Sequence, residues 1–246
     1  MLKRSYLMFF FRRLIALGYI SIFFTFSSVS WAMETDEIEI TKINSIKDFE
    51  NKIRFLLDEK KIKPEVICVC FDFHGFIVNE TKHKPPLTLK ENAKETLQYL
   101  KDKNIPFFIA TAWDKFNDVI QEGIIKLELA DLFDVETEHT AALEDFTLGY
   151  RQERYLEGYK NGRVIALKYK TSDNKINVDE NADDIYFLQK AYGIQLIYPK
   201  KFFEYIVAGD DSKMNLEIFA EDTNYIPHTA NADFQELILC HLISEK

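Results

Sequence analysis

Two kinds of apolar pattern take turns along this chain. Ile46, Phe49, Ile53, Leu56 and Leu57 recur at helical spacing, with Ser45 placed to cap the helix and Lys63-Pro64 to end it. Val66-Ile67-Cys68-Val69-Cys70-Phe71 follows as an unbroken apolar run of strand length, as expected for a parallel strand covered on both faces, and Asp72 comes directly at its end. Leu89, Ala93, Leu97 and Leu100 then mark a helix over 88–103, opened by Thr88 and Glu91 in capping-box spacing and closed by Asn104. Pro106 leads into a second buried strand, Phe107-Phe108-Ile109-Ala110, which delivers Thr111, and Phe116, Val119, Ile120 and Ile124 predict the next helix. Alternation of this kind predicts an α/β fold on a mainly parallel sheet.

From about 139 to 181 the pattern changes. Asn161-Gly162 lies between Tyr155-Leu156 and Val164-Ile165-Ala166-Leu167, a short-range hairpin signal, and the region reads as a small insertion. Its Tyr150, Tyr155 and Tyr159 either line a pocket or pack a hairpin, and both readings stay open. Asp183 to Tyr192 predicts a helix, and Tyr205-Ile206-Val207-Ala208 a third buried strand that runs into Gly209-Asp210-Asp211. A further strand is expected through Tyr225-Ile226, and a closing helix carries Phe234, Leu237, Ile238, Leu242 and Ile243. One helix takes up most of the interval from Asp72 to Thr111, leaving little room for a large cap there.

The first 32 residues stand apart. Lys3, Arg4, Arg12 and Arg13 precede an apolar run from Leu14 to Phe26, and small residues then lead to Ser30-Trp31-Ala32. That order predicts a secretory signal peptide over 1–32, a mature chain from Met33, and export to a bacterial periplasm or beyond; a retained membrane anchor is the alternative. Removing those four from the 31 basic residues leaves 27 against 40 acidic ones, a net charge of about −13. Nucleic acid and anionic membranes are poor partners for such a surface. Cys68 and Cys70 lie two apart on one predicted strand, where they cannot readily bridge each other, and with Cys240 they read as buried thiols.

The predicted strands end in polar residues: Asp72, Thr111, and the pair Asp210 and Asp211. In open parallel sheets the ligand crevice lies beyond the carboxyl ends of the strands, so these side chains are expected to meet. Carboxylates gathered there repel one another unless a cation joins them, and an all-oxygen set with few His or Cys neighbours suits Mg²⁺ better than Zn²⁺. His83, His228 and His241 have no ligand-like spacing and read as surface or core histidines, while Glu136, Glu138 and His139 read as a polar loop.

Asp72-Phe73-His74-Gly75 after an apolar strand resembles the first motif of the haloacid-dehalogenase-like (HAD) superfamily, an Asp-x-Asp-Gly-Thr run. Phe107 to Thr111 resembles its second motif, and Gly209-Asp210-Asp211-Ser212-Lys213-Met214-Asn215 its acidic fourth. The resemblance spans roughly residues 65 to 230 and implies a three-layer, Rossmann-like α/β/α sandwich. It implies further that Asp72 is a nucleophile forming an aspartyl phosphate. Mg²⁺ would be held by Asp72, by Asp210 or Asp211, and by the carbonyl of His74, while Thr111 would bond a phosphoryl oxygen. A lysine completes the family's set; Lys175 is the first choice here, with Lys168, Lys170 and Lys190 as alternatives.

Two positions depart from the motif. His74 stands where the phosphatases keep the acid/base aspartate, and Phe76 where they keep threonine. An imidazole with a reference pKa of roughly 6.5 can carry protons near neutrality, so His74 either takes over that role or marks lost activity. Asn215 reads equally as part of the metal environment or as an ordinary helix residue. The resemblance thus implies a Mg²⁺-dependent phosphatase acting on a phosphorylated small molecule or macromolecule. The alternatives are a catalytically silent HAD-like binding protein and a HAD hydrolase of non-phosphate-ester substrates.

Overall fold

The computed structural model describes residues 39–79, 87–111, 119–137, 144–150, 154–171, 190–223 and 236–243; for Glu122, 144–150, 154–157, 167–171 and 221–223 it describes the backbone alone. The expected signal peptide and the expected strand at Tyr225-Ile226 lie outside these residues. So do most of the helix expected over Asp183–Tyr192 and residues His83, Glu138, His139, Lys175 and His228. Among the described residues, no helix is long and apolar enough to cross a membrane.

The chain runs β1 (Ile40–Ile43), α1 (Ile46–Arg54, continued by a π-helical turn over Phe55–Glu59), β2 (Ile67–Phe71), α2 (Ala93–Asp102), β3 (Phe107–Thr111) and a second π-helical segment (Val119–Ile125). It continues through β4 (Glu144–Tyr150), β5 (Arg154–Asn161), β6 (Val164–Thr171), α3 (Tyr192–Ile197), β7 (Tyr205–Asp210), α4 (Lys213–Thr223) and β8 (Glu236–Leu242). All the strands join one eight-stranded sheet in the order β1-β8-β7-β2-β3-β6-β5-β4. From β1 to β6 every neighbouring pair is parallel, and β5 and β4 extend the edge antiparallel. This is the α/β class with a mostly parallel sheet that the pattern predicts.

Period-two alternation divides the buried strands between two cores. Ile67, Val69, Phe71, Phe107, Ile109 and Val207 face Phe49 and Ile53 of α1, Leu97 and Leu100 of α2, and Ile124. Cys68, Cys70, Phe108, Ala110, Ile206 and Ala208 face Ile194 of α3 and Leu216 and Phe219 of α4. Burying both faces is what the continuous apolar runs require. All three cysteines are buried and free.

Ser45 caps α1 as its position predicts, its Oγ accepting from the Asp48 amide at 3.1 Å. Between α1 and α2 the buried Glu50 carboxylate accepts from Lys47 (2.7 Å), Arg54 (2.6 Å) and Thr96 (2.9 Å). Burial alone would raise this carboxyl, but the three donors together hold it below its ordinary pKa.

Three local expectations are corrected. The 88–103 helix begins only at Ala93, with Asn92 at φ +61 before it, and Thr88 is no cap. Thr88 and Leu89 instead pair with the turn after β2: the Asn79 amide donates to the Thr88 carbonyl (2.8 Å) and Val78 bridges Leu89. Asn104, at φ +55, does close the helix.

The expected closing helix is strand β8. Glu-Leu-Ile-Leu-Cys-His-Leu is apolar enough to satisfy either period, and the open parallel ladders of β7 and β1 decide for a strand.

The hairpin is present, but β5 and β6 pair Asn161 with Val164, so Gly162 (φ +56) and Arg163 form its tip. The Asn161 side chain instead clasps the exposed Glu136 backbone, accepting from its N–H and donating to its carbonyl. The 139–181 region also supplies β4, β5 and β6 to the one sheet, since β6 lies parallel beside β3.

Candidate metal centre

Chain order places the site before any side chain is considered. From β2 the sheet grows outward through β3 and β6, and the chain then returns to lay β7 on the other side of β2. Strand order reverses between β2 and β7, and at such a switch point the two connections leave toward opposite faces and open a crevice at the carboxyl ends. The register pairs Phe71 with Gly209, and the Asp72 amide donates to the Gly209 carbonyl at 2.9 Å, so Asp72 and Asp210 stand side by side at the mouth.

Asp72, Asp210 and Asp211 each offer a carboxylate oxygen, and these lie within 4.8 Å of one another. Lys190, just before α3, places its Nζ 2.7 Å from Asp72 Oδ1 and 2.5 Å from Asp210 Oδ2. Asp210 is 2% exposed, Lys190 5% and Asp72 12%. Burial raises the Asp72 carboxyl to about 7, with Asp210 and Asp211 pushing the same way and Lys190 opposing. Burial pulls the Lys190 ammonium down, but its two carboxylate partners more than offset that and hold it above the ordinary lysine range.

The second oxygen of Asp210 is also engaged. Its Oδ1 accepts from the Ser212 amide (2.9 Å) and from Asn215 Nδ2 (2.8 Å). The Asn215 amide is thereby turned so that its Oδ1 is buried with no hydrogen-bond partner among the described residues. Such an orphan costs roughly 1–3 kcal/mol and calls for a ligand or water to satisfy it.

Asp211 lies against the turn that follows β2. Gly75 there has φ +77, and a Cβ on it would fall 1.9 Å from Asp211 Oδ2, so glycine is required both for the backbone and for the carboxylate's approach. The turn is pinned by the Ile77 and Val78 amides donating to the Phe73 carbonyl. Phe76 is fully buried against Phe49 and Phe71, in space that exists because Gly209 has no side chain. Half-buried His74 sets its ring edge-on to Phe73 at 4.9 Å.

The expected residues are thus only partly united. Asp72, Asp210 and Asp211 come together, and Lys190, one of the alternative lysines, pairs with the first two; Lys175 lies outside the described residues, and Lys168 and Lys170 have only their backbone described, in β6. Thr111 ends the adjacent strand, buried, on the parity of Phe107 and Ile109. Tyr159 packs against the core, and the side chains of Tyr150 and Tyr155 lie outside the description. His241, read as an ordinary surface or core residue, bonds the Asp211 carbonyl from β8 at 3.1 Å. No spacing signal points to it, because its segment fits helical and strand periods alike.

Three carboxylates with one lysine, an unsatisfied amide oxygen and no soft donor among them make a set that could hold a metal ion. No family model matches this chain, and no curated protein or solved structure matches it either.

Proposed function

We propose that this chain is a Mg²⁺-dependent phosphatase-type hydrolase of the HAD kind, working in a periplasm or beyond, with Asp72 as nucleophile. The observation that carries the reading is the meeting of Asp72, Asp210 and Asp211 at the strand-order reversal, with Lys190 on Asp72 Oδ1. A hard, all-oxygen donor set favours Mg²⁺ over softer metals, and bound Mg²⁺ would neutralise charge on the phosphoryl oxygens.

Lys190 engages Oδ1 of Asp72, and in the proposed reaction Oδ2 is the attacking atom. The carboxylate forms a bond to phosphorus as the bond to the leaving oxygen breaks, and the His74 imidazolium gives that oxygen its proton. Water then attacks phosphorus and gives a proton to the neutral imidazole. The acyl phosphate opens to return Asp72 and inorganic phosphate. Thr111 is the candidate hydrogen-bond partner of the phosphoryl group. The acidic surface argues for a phosphorylated small molecule or protein over nucleic acid.

One residue favours a second reading. His74 replaces a carboxylate whose proton transfer is worth roughly 10² to 10⁴ in rate, which fits a silent HAD-like binding protein or a hydrolase whose leaving group needs no protonation. Hydrolysis of an activated aryl phosphate with and without Mg²⁺, beside Asp72→Asn, separates these readings. Metal-dependent turnover lost in Asp72→Asn supports the phosphatase, and equal background in both proteins refutes it. With a poor leaving group, the rate of a working enzyme falls as pH rises through the His74 ionisation; a silent protein has no such profile.

A further inference from the structure

His241 lies on β8 in register with Asp210 of β7, yet its ring reaches one residue further along and bonds the Asp211 carbonyl at 3.1 Å. A carbonyl only accepts, so Nε2 carries the proton and donates. The other ring nitrogen, Nδ1, is buried with no partner among the described residues. A leucine, like the neighbouring Leu239 and Leu242, would fill the strand without that cost. The Nε2 bond must therefore be worth an orphaned nitrogen.

What the bond holds is one peptide unit. The Asp211 carbonyl accepts from His241, and the amide of the same unit, Ser212 N–H, donates to Asp210 Oδ1 at 2.9 Å. Carbonyl and amide point opposite ways across a planar trans peptide, so the two bonds grip it from both sides and fix its rotation. That rotation sets the direction of the Asp211 side chain, whose carboxylate rests against Gly75 and belongs to the cluster with Asp72 and Asp210.

We infer that His241 is a positioning residue that clamps the Asp211–Ser212 peptide and so keeps the Asp211 carboxylate aimed at a divalent cation. The inference rests on the reading of the three aspartates as a cation site. Partners that orient metal ligands in this indirect way typically govern about 10- to 100-fold in affinity.

The test compares wild type, His241→Leu, His241→Gln and His241→Asn by calorimetric titration with Mg²⁺, and by hydrogen exchange at the Ser212 amide in the metal-free proteins. Glutamine places an N–H where Nε2 stands; asparagine reaches only as far as Nδ1. We expect His241→Leu and His241→Asn to bind Mg²⁺ about 10-fold or more weakly and to exchange Ser212 faster. His241→Gln recovers both properties. Unchanged Ser212 exchange in His241→Leu overturns the clamp. Unchanged Mg²⁺ affinity with altered exchange overturns its role in aiming Asp211. A wild type that binds no Mg²⁺ but shows the exchange pattern keeps the clamp and refutes the cation site instead.

Discussion

The Nζ of Lys190 stands 2.7 Å from Oδ1 of Asp72, joining positions 118 residues apart, and its second bond reaches Asp210 on the next strand. One buried ammonium therefore serves two adjacent strand ends. Lys190→Met should leave a cluster of uncompensated carboxylates and lower stability by about 3–5 kcal/mol at pH 8, read by urea unfolding without metal. Added Mg²⁺ should restore part of the loss. An unchanged midpoint would mean that the lysine does not neutralise the site.

Asp72 should give the metal-free protein an unusual pH dependence. Its folded pKa of about 7 lies above the ordinary aspartate value of 3.8, so between these limits the native state holds the proton that the unfolded chain releases. The stability from this group is complete below about pH 4 and is lost as pH rises through about 7. Asp72→Asn should match wild type near pH 4 and exceed it at pH 8. On the proposed reading Mg²⁺ binds the ionised carboxylate, and it should therefore stabilise wild type more at pH 8 than at pH 5. Parallel unfolding curves for the two proteins across this range would contradict the shift.

Glu50 should act in the opposite sense. Its folded pKa is depressed below 4.5, so its contribution is present above that value and lost as pH falls through the folded pKa. Glu50→Gln should cost about 1–3 kcal/mol at pH 7 and flatten the acid side of the profile, because Lys47 and Arg54 lose a charged acceptor. Urea unfolding at several pH values reads both effects.

Gly75→Ala tests the contact between the turn and Asp211. The added methyl would overlap the carboxylate, and φ +77 strains any residue with a Cβ. We expect a loss of about 1–3 kcal/mol in thermal or urea unfolding and a larger relative loss in Mg²⁺ affinity. Full metal affinity in this variant would show that Asp211 is not a ligand.

Much of the central framework was legible in one dimension. The runs at 67–71, 107–111 and 205–208 are apolar on both parities, short and rich in β-formers, as a strand buried on both faces requires, and polar residues at their ends mark the crevice. Asp72, Asp210 and Asp211 follow from that rule alone. Lys190 did not: several lysines lie within reach of the fourth motif in sequence, and only the fold shows which ammonium is carried into the crevice.

The segments that depart from their local pattern share a cause. The 236–242 run satisfies helical and strand spacing equally, and Thr88 and Glu91 have cap spacing without being a cap. Such segments are marginal alone and take the conformation that satisfies a neighbour's unpaired backbone: β7 and β1 claim β8, and the turn at 77–79 claims 88–90. His241 was hidden with its strand. Local pattern therefore determined which segments are buried and where the acids emerge. Tertiary hydrogen bonding decided the ambiguous segments, and with them which lysine and which histidine reach the acids, because those contacts join residues whose separation along the chain carries no signal.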